Sequence, residues 1–273
     1  MTVIAVTGAT GNVGGELVRI LTAAGEEVVA VSRRPGPLPN GVTHRAADLG
    51  DPDGLRDHFE GVDALFLIVA GDDPDAILGI AEEMGVRRVV LMSSQGVGTR
   101  PAAYRHAAMF EAAVRDSGLE WTILRSGGLD SNAFAWIDSI RADRTAAAPF
   151  GGVGLPNVDP ADVAAVAAVA LREDGHLGRT YELTGPEPVT PRERAAAIGA
   201  ALGVPVRYVE QTRDEARAQM SAYMPEPVVD GTLAILGDPL PTERRISPDV
   251  AHVLGRAPRT FADWAARTVA AFR

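Results

Sequence analysis

A glycine-rich turn directly after the first apolar segment constrains the fold of this chain more than any other feature. The run Val3 to Val6 reads as a buried strand, and GATGNVG at residues 8–14 follows it and opens a helix. In a dinucleotide-binding motif with this spacing, Gly8 forms a tight turn, Gly11 lets the backbone approach a pyrophosphate, and Gly14 lets the helix pack closely on the sheet. Amides at the helix N-terminus would hold the phosphates. The predicted contacts to a dinucleotide here are Gly8, Thr10, Gly11, Asn12, Val13 and Gly14.

Strand and helix signals alternate along the first two thirds of the chain. Short apolar runs bounded by turn residues predict strands, and segments with helical apolar spacing lie between them. The predicted strands are Val3 to Val6, Val28 to Val31, Val42 to Ala47, Ala64 to Val69, Arg88 to Met92, Trp121 to Arg125 and Thr180 to Leu183. This alternation predicts an α/β fold, a Rossmann domain with a doubly wound parallel sheet.

The pattern changes beyond Gly185, where prolines become frequent and the helical stretches are shorter. Helical spacing covers Pro191 to Leu202 and Arg213 to Met224, a proline-rich turn follows, and Phe261 to Phe272 is amphipathic. We therefore predict a Rossmann domain over residues 1–184 and a small substrate-binding lobe over residues 185–273. The irregular segment 126–160 is expected to contribute to the substrate cleft, so that the C-terminal lobe is discontinuous.

The end of the second predicted strand indicates which dinucleotide binds. An acidic residue about 20 positions after the glycines would bind a ribose 2′-hydroxyl, whereas arginine accommodates a 2′-phosphate. This chain has Ser32-Arg33-Arg34 there and no acid, which favours NADP(H), although two arginines after a buried strand also suit a solvated loop. Asp48 and Leu49 suit contact with the adenine, and Asp48 equally suits a helix cap. The remaining predicted cofactor contacts are Val69, Ala70, Ser93 and Ser94.

The residue types that the chain lacks exclude several chemistries. The 273 residues include no cysteine, and all 26 basic residues are arginine. The chain therefore has no thiolate nucleophile, no disulfide and no cysteine-type metal centre, and it has no lysine for a Schiff base or a phosphate-binding loop. We accordingly predict chemistry without a metal.

The net charge and the hydropathy of the chain argue against nucleic acids and membranes as partners. A formal charge of −10 repels phosphodiester backbones, and no window gathers arginine with aromatic residues. The apolar run Ala64 to Ala70 is far short of the roughly 20 residues that span a bilayer, and so is every other apolar run of the chain. We expect a cytoplasmic monomer or homodimer that binds a small-molecule substrate and neither nucleic acid nor membrane.

Six segments of the chain match a known family pattern. They are VTGATGNVGG at 6–15, VSRRPG at 31–36, ADLGDP at 47–52, VVLMSSQG at 89–96, SGLEWTILRSGG at 117–128 and YELTGPEPVTPRE at 181–193. With them the chain resembles, from end to end, the NmrA-like, NAD(P)H-binding group of atypical short-chain dehydrogenases/reductases. The resemblance implies a Rossmann domain with a small C-terminal substrate lobe. It implies less about the reaction, because the group contains quinone and dye reductases as well as regulators that bind the nucleotide without turning it over.

The resemblance also says where catalytic residues belong. Short-chain dehydrogenases typically use a serine after the fifth strand and then a Tyr-x-x-x-Lys helix. Ser93 and Ser94 occupy the serine region and Tyr104 opens the next helix, but Ala108 stands where the lysine belongs. A tyrosine without a fixed cation nearby titrates near its reference value of about 10, which makes it a poor base and still a proton donor.

A histidine on the same helix offers a second proton donor. In NmrA-like reductases a histidine often precedes a glutamate by about five residues, and His106 with Glu111 fits that pattern loosely. An imidazole can donate a proton near neutral pH, although His106 equally suits a solvent-facing helix start. The catalytic candidates are therefore His106, Tyr104 and Ser93, and the missing lysine ranks His106 above Tyr104.

The segment after the sixth strand is expected to face the substrate. Ser126 replaces the proline that is usual in this family, and aromatic residues follow while charged residues are scarce until Asp138. An apolar, aromatic-accepting pocket suits a quinone or a polyketide-like aromatic ketone better than a sugar or an acyl phosphate. The predicted substrate contacts are Gln95, Gly128, Asn132, Phe134 and Trp136.

Three functions follow from these observations. The first is NADPH-dependent reduction of a small quinone or aromatic carbonyl compound by direct hydride transfer. The second is a regulator that senses NADP, which the absent Tyr/Lys pair favours. The third is a redox-neutral isomerisation or dehydration in the same pocket, because a fold does not fix a reaction.

Overall fold

The computed structural model describes residues 2–273 and contains nine strands. They are β1 (Val3–Thr7), β2 (Glu27–Ser32), β3 (Thr43–Ala46), β4 (Ala64–Ile68), β5 (Arg88–Ser94), β6 (Glu120–Ser126), β7 (Thr145–Pro149), β8 (Arg179–Leu183) and β9 (Arg207–Gln211). Seven of them form one sheet in the order β3-β2-β1-β4-β5-β6-β8, and every neighbouring pair in it is parallel. The predicted doubly wound α/β fold is confirmed.

Helices connect the strands and form the lobe. They are α1 (Asn12–Ala23), α2 (Arg56–Phe59), α3 (Pro74–Glu83), α4 (Gly96–Thr99), α5 (Arg105–Asp116), α6 (Ile137–Asp143), α7 (Pro160–Arg172), α8 (Pro191–Leu202), α9 (Arg213–Ser221), α10 (Glu226–Gly237), α11 (Pro241–Arg244), α12 (Asp249–Leu254) and α13 (Phe261–Thr268). Short 3₁₀ turns cover Pro52–Leu55, Asp130–Trp136 and Val269–Phe272. Across residues 2–273, every helix is too short or too polar to cross a lipid bilayer.

Two apolar cores lie on opposite faces of the sheet, because side chains alternate along each strand. On one face Ile4 and Val6 of β1 pack with α1 and α7. On the other face Ala5 belongs to a core with Ile77 of α3 and Phe110 of α5. Burial on both faces explains why these strands read as continuous apolar runs.

The lobe has its own core, and segments far apart in the chain build it. Trp136, Ile198 and Trp264 belong to one apolar cluster. Strand β7 pairs in parallel with β9, so that the segment before α7 joins the segment after α8. The lobe is therefore discontinuous. The prediction of a proline-rich turn after Met224 is wrong for residues 226–237, which form α10. A proline lies in the first turn of this helix, where helices tolerate proline because the N–H that it lacks has no partner there.

An ion pair between Arg100 and Glu243 connects the C-terminal helices to the edge of the sheet. The Nε of Arg100, just after α4, lies 2.8 Å from Oε1 of Glu243 in α11, and Glu243 is buried. The Arg100 guanidinium also donates to the carbonyl oxygen of Asp238 at 3.0 Å. These contacts hold α10 and α11 beside the carboxyl edge of the sheet.

Candidate active site

A cavity of about 690 Å³ opens at the carboxyl edge of the sheet, and we call it the nucleotide cavity. It is bordered by the glycine-rich turn, the ends of β2, β3 and β4, Met92 of β5 and Leu129 in the segment after β6. Its lining includes the predicted residues Gly8, Thr10, Gly11, Asn12, Val13, Gly14, Ser32, Arg33, Arg34, Asp48, Leu49 and Ala70. The sequence pattern thus identifies residues that share one cavity.

The glycine positions in the turn have separate structural roles. Gly8 has a φ of +62°, a conformation that residues with a Cβ rarely adopt. A Cβ on Gly14 would collide with the carbonyl oxygen of Gly8, so the third glycine lets the helix start pack on the turn. At Gly11 the nearest atom to an added Cβ is the same oxygen, at 3.2 Å. The cavity side of Gly11 is therefore open to a ligand.

The start of α1 offers free amides to the cavity. Gly11 is the N-cap residue and supplies no side-chain cap, and the first turn contains no acidic residue. The first-turn N–H groups of a helix have no partner within the helix, and the helix dipole favours an anion there. These residues fit the pyrophosphate of a dinucleotide, and they would bind it through backbone N–H groups.

The loop after β2 is held against the glycine-rich turn. The Ser32 hydroxyl donates to the carbonyl oxygen of Arg34 at 2.7 Å and lies 2.9 Å from Nε2 of His44. A Cβ on Gly36 would lie 2.8 Å from Cγ2 of Thr10. Arg33 extends from this loop with an exposed side chain. The loop therefore presents guanidinium groups at the end of the cavity where the sequence predicts a 2′-phosphate.

Arg33→Ala is expected to weaken NADPH binding about 10- to 100-fold and to leave NADH binding nearly unchanged. A charge-assisted contact to phosphate contributes roughly 1.5–3 kcal/mol, and NADH lacks the 2′-phosphate. Isothermal titration calorimetry with both nucleotides measures the difference. Arg141→Ala, which removes an exposed arginine outside this cavity, should change neither affinity. Equal losses for NADPH and NADH in Arg33→Ala would contradict the assignment.

Two of the predicted cofactor residues, Val69 and Ser93, line neither this cavity nor the second cavity described below, and strand alternation explains each case. Val69 packs against the apolar core that contains Phe110, whereas its neighbours Ile68 and Ala70 line the nucleotide cavity. Ser93 is buried and its hydroxyl donates to Oε1 of Glu111 at 2.7 Å. Adjacent strand residues point to opposite faces, so the side chains of Val69 and Ser93 point away from the side on which their neighbours Ala70 and Ser94 line a cavity. We therefore assign Val69 and Ser93 to packing rather than to ligand contact.

A second cavity of about 390 Å³ lies between the sheet edge and the lobe, and we call it the lobe cavity. It contains most of the predicted substrate residues together with side chains from α8, α9 and α10. The predicted residues in its lining are Ser94, Gln95, Tyr104, Gly128, Asn132 and Trp136. Phe134 is not among them, because its ring packs in the lobe core at 5.1 Å from the Trp264 ring.

Tyr104 lies in the lobe cavity, with its ring packed against Gly96. Burial raises the pKa of the Tyr104 phenol, and its interaction with Thr232 only partly offsets this effect. A Cβ on Gly96 would collide with the ring, so the absence of a side chain there gives Tyr104 its place. A phenol with a raised pKa stays protonated at neutral pH, and it therefore suits a proton donor.

His106 points elsewhere. Its Nε2 lies 2.7 Å from the carbonyl oxygen of Gly71, at the rim of the nucleotide cavity, and its ring meets Phe110 edge-on at 5.3 Å. The side chain is half exposed and is not part of the lobe-cavity lining. Tyr104 therefore lines the lobe cavity, whereas His106 lies at the rim of the nucleotide cavity.

A buried carboxylate organises the strands beneath the cavities. Glu111 of α5 accepts hydrogen bonds from the Ser93 hydroxyl at 2.7 Å and from Nε of Arg125 in β6 at 2.8 Å. Nη2 of Arg125 adds a third bond at 2.7 Å, and Nη2 of Arg115 adds a fourth at 2.8 Å. Burial alone raises the pKa of Glu111, but these hydrogen bonds outweigh it and hold the pKa below its ordinary value. The network joins β5, β6 and α5 and is a packing feature.

Asp130 is a buried carboxyl group without a hydrogen-bond partner among residues 2–273. Desolvation, and then the neighbouring charge of Asp159, raise the pKa of Asp130 to about 8. Arg194 opposes this shift but lies too far away to form an ion pair with it. Asp130 is therefore neutral at neutral pH.

Asp130→Asn is expected to flatten the pH dependence of stability. Because the pKa of about 8 in the folded protein lies above the ordinary value, the folded state binds a proton that the unfolded chain releases. This contribution is fully present below about pH 4 and is lost as the pH rises to about 8, on the order of 1 kcal/mol per pH unit. Urea denaturation between about pH 5 and about pH 8 should show a shallower decline for Asp130→Asn. The exposed Asp138→Asn should keep the wild-type slope, and an unchanged slope in Asp130→Asn would mean that the carboxyl is ionised.

The sequence analysis missed several cavity residues. Those lining the nucleotide cavity are Thr7, Val31, Ala47, Ile68, Gly71, Met92 and Leu129. The alternation of strand residues would have found two of them, because Ile68 precedes Ala70 by two positions and Met92 precedes Ser94 by two. Arg194 of the lobe cavity gave no signal, since nothing in the sequence relates α8 to the end of β5.

Comparison with known proteins agrees with this geometry. The chain matches a family model described as NAD(P)H-binding over residues 8–174. A (4-alkanoyl-5-oxo-2,5-dihydrofuran-3-yl)methyl phosphate reductase of Streptomyces griseus subsp. griseus is 37% identical, over 98% of this chain and 99% of that protein. An NAD(P)H azoreductase of Xenophilus azovorans is 33% identical, over 98% of this chain and 99% of that protein.

A solved structure extends the likeness to three dimensions. An NADPH-dependent quinone oxidoreductase of Escherichia coli, crystallised in complex with NADPH, is similar with a TM-score of 0.77 and 25% identity. The match covers 97% of this chain and 99% of that chain. The family resemblance and the NAD(P)H-binding assignment made from the sequence are confirmed. The chain belongs to the NAD(P)H-binding, NmrA-like family of atypical short-chain dehydrogenases/reductases.

Proposed function

We propose that the protein is an NADPH-dependent reductase of a small quinone or an aromatic, polyketide-like carbonyl compound. The nucleotide cavity holds the dinucleotide, and the lobe cavity holds the substrate. Bound NADPH supplies the hydride, and the protein supplies the positions of the two reactants and a proton.

One observation carries this proposal: the two cavities adjoin at the carboxyl ends of β5 and β6. Met92 and Leu129 line the nucleotide cavity, whereas Ser94 and Gly128, close to them in the chain, line the lobe cavity. A nicotinamide at this end of the nucleotide cavity would stand beside a substrate in the lobe cavity. Ligands of doubly wound folds bind at this edge of the sheet.

Tyr104 is the residue that we assign as proton donor. Its phenol lies in the lobe-cavity lining and is protonated at neutral pH. During reduction of a carbonyl group, negative charge develops on the oxygen, and a phenol within hydrogen-bond reach gives its proton there. We assign no catalytic role to His106, because its side chain lies outside the lobe cavity and its Nε2 contacts the carbonyl oxygen of Gly71.

The relatives support a conjugated, electron-poor substrate. They are named for the reduction of an (oxo-dihydrofuranyl)methyl phosphate, an azo compound and a quinone. The lobe cavity agrees with such a compound, because its lining combines Trp136 and aliphatic side chains with a few neutral amides such as Asn132.

The proposal is tested by following NADPH oxidation with a panel of quinones and aromatic ketones, with products identified by mass spectrometry. We expect turnover of at least one class with a product reduced by two electrons.

A second candidate function is nucleotide sensing without turnover, which is favoured by Ala108 at the position of the lysine in the Tyr-x-x-x-Lys pattern. NADPH binding without oxidation across the whole panel would favour this second function.

A further inference from the structure

The lobe cavity contains an isolated positive charge. Among the residues within 2–273 that line this cavity, Arg194 is the one with a charged side chain. We infer that Arg194 binds an anionic group of the substrate, a phosphate monoester or a carboxylate. The inference rests on the proposed function, since it names the class of substrate for the same cavity.

The guanidinium of Arg194 is buried and unpartnered. The residue is 9% exposed, and its Nε has no hydrogen-bond partner among residues 2–273. Its Cζ lies 5.6 Å from the centroid of the Trp136 ring, and this contact holds the side chain without satisfying its N–H groups. A buried charge is costly unless it is paired, so a cation kept in this state points to a counter-charge that a ligand brings.

Asp130 is the carboxyl group that acts on Arg194, and Asp159 and Asp162 are its buried acidic neighbours; none of the three supplies that counter-charge. Asp159 is paired with Arg267, with an N–O distance of 2.7 Å. Asp162 is paired with arginines of the segment between α12 and α13. Asp130 is protonated below about pH 8 because of its burial. The positive charge of Arg194 is therefore left for the cavity.

The position of Arg194 relative to Tyr104 indicates where the anionic group lies on the substrate. Arg194 belongs to α8 in the lobe, whereas Tyr104 precedes α5 on the Rossmann domain, and both line the same cavity. A substrate reaching both residues has a reducible group at the sheet edge and an anionic group toward the lobe. The planar guanidinium binds two oxygens of a phosphate or carboxylate at once, and Asn132 and Asn157 add neutral amide donors to the lining.

The experiment uses three related substrates with the NADPH-loaded protein at about pH 7, below the pKa of Asp130. They are a naphthoquinone with a hydroxymethyl substituent, its phosphate monoester and the corresponding carboxylate. We expect kcat/KM for at least one anionic compound to exceed that of the neutral compound by about 10- to 100-fold. The compound with the larger gain identifies phosphate or carboxylate as the natural group.

Arg194→Gln should remove this advantage through the KM of the anionic compound, so that kcat/KM for the anionic and the neutral compound agree within about three-fold. Arg192→Gln is the matched control, because Arg192 lies on the same helix but is exposed and paired with Glu210 at 2.6 Å. It should retain the advantage. Arg194→Lys keeps the charge without the planar fork, and it should retain part of the advantage. The inference is overturned if wild type shows no preference, or if the preference survives in Arg194→Gln.

A binding measurement separates this inference from the proposed function. Phenyl phosphate is a probe that cannot be reduced, and calorimetry measures its binding to the NADPH-loaded protein. If no quinone is reduced, the proposed function fails, but binding of phenyl phosphate that is lost in Arg194→Gln still supports the anion site. If the neutral quinone is reduced and phenyl phosphate binds neither protein, or both equally, the proposed function stands and the anion site is wrong.

Discussion

Gly11→Val is expected to abolish NADPH binding while the sheet stays folded. The backbone at Gly11 has φ −84° and ψ 175°, which valine adopts readily, so the substitution adds no backbone strain. The added methyl groups would occupy the space over the free amides of α1, where the pyrophosphate belongs. We expect calorimetry to show a loss of affinity of at least about 100-fold, on the order of 3 kcal/mol.

Neighbouring glycines provide the controls for this prediction. A Cβ on Gly15 would lie 3.6 Å from the carbonyl oxygen of Ala9, an ordinary contact, so Gly15→Ala should bind NADPH normally. Gly14→Ala should instead lower the melting temperature, because its Cβ would collide with the Gly8 carbonyl. Normal NADPH binding by a folded Gly11→Val protein would refute the assignment of the turn.

Tyr104→Phe is expected to lower kcat with an aromatic ketone by about 10²- to 10⁴-fold and to leave NADPH affinity unchanged. The phenylalanine ring keeps the packing against Gly96, so the loss reports the hydroxyl alone. Since burial raises the pKa of Tyr104 above the ordinary value, wild-type activity should not fall as the pH rises from neutral to about 9. Stopped-flow measurement of a single turnover separates this chemical step from product release.

Two variants show whether the loss is specific to Tyr104. Tyr223 also lines the lobe cavity but is 67% exposed, and Tyr223→Phe should stay within a few-fold of wild type. His106→Ala should do the same, because its ring contacts Gly71 rather than the lobe cavity. A fully active Tyr104→Phe protein beside an inactive His106→Ala protein would restore the order that the sequence suggested.

The Rossmann domain could be predicted because its signals are local. Strand β1 with the glycine-rich turn, and the apolar run of β4 between loops, reveal themselves within a few residues. The cofactor residues follow from the same rule, since parallel strands bring their carboxyl ends to one edge. The side chains of Val69 and Ser93 lie outside the cavities because strand side chains alternate, and this information is present in the sequence.

The lobe cavity could not be predicted in the same way. It brings Arg194 of α8 next to Trp136, which lies 58 positions earlier, through packing that no local pattern encodes. The choice between Tyr104 and His106 likewise depends on the direction in which two side chains leave the start of α5. Asp130 reads as an ordinary acidic residue, and only its burial beside Asp159 raises its pKa.

Transfer of label from the cofactor to the product tests the central claim most directly. NADPH carrying deuterium at C4 of the nicotinamide, prepared separately on each face, is incubated with the protein and an aromatic ketone from the panel that is turned over, and the alcohol is examined by mass spectrometry. Our account predicts that one of the two labelled cofactors gives an alcohol with deuterium on the former carbonyl carbon, and that the other gives none. An alcohol without deuterium from both cofactors, or a product at the oxidation level of the substrate, would contradict direct hydride transfer between the two cavities.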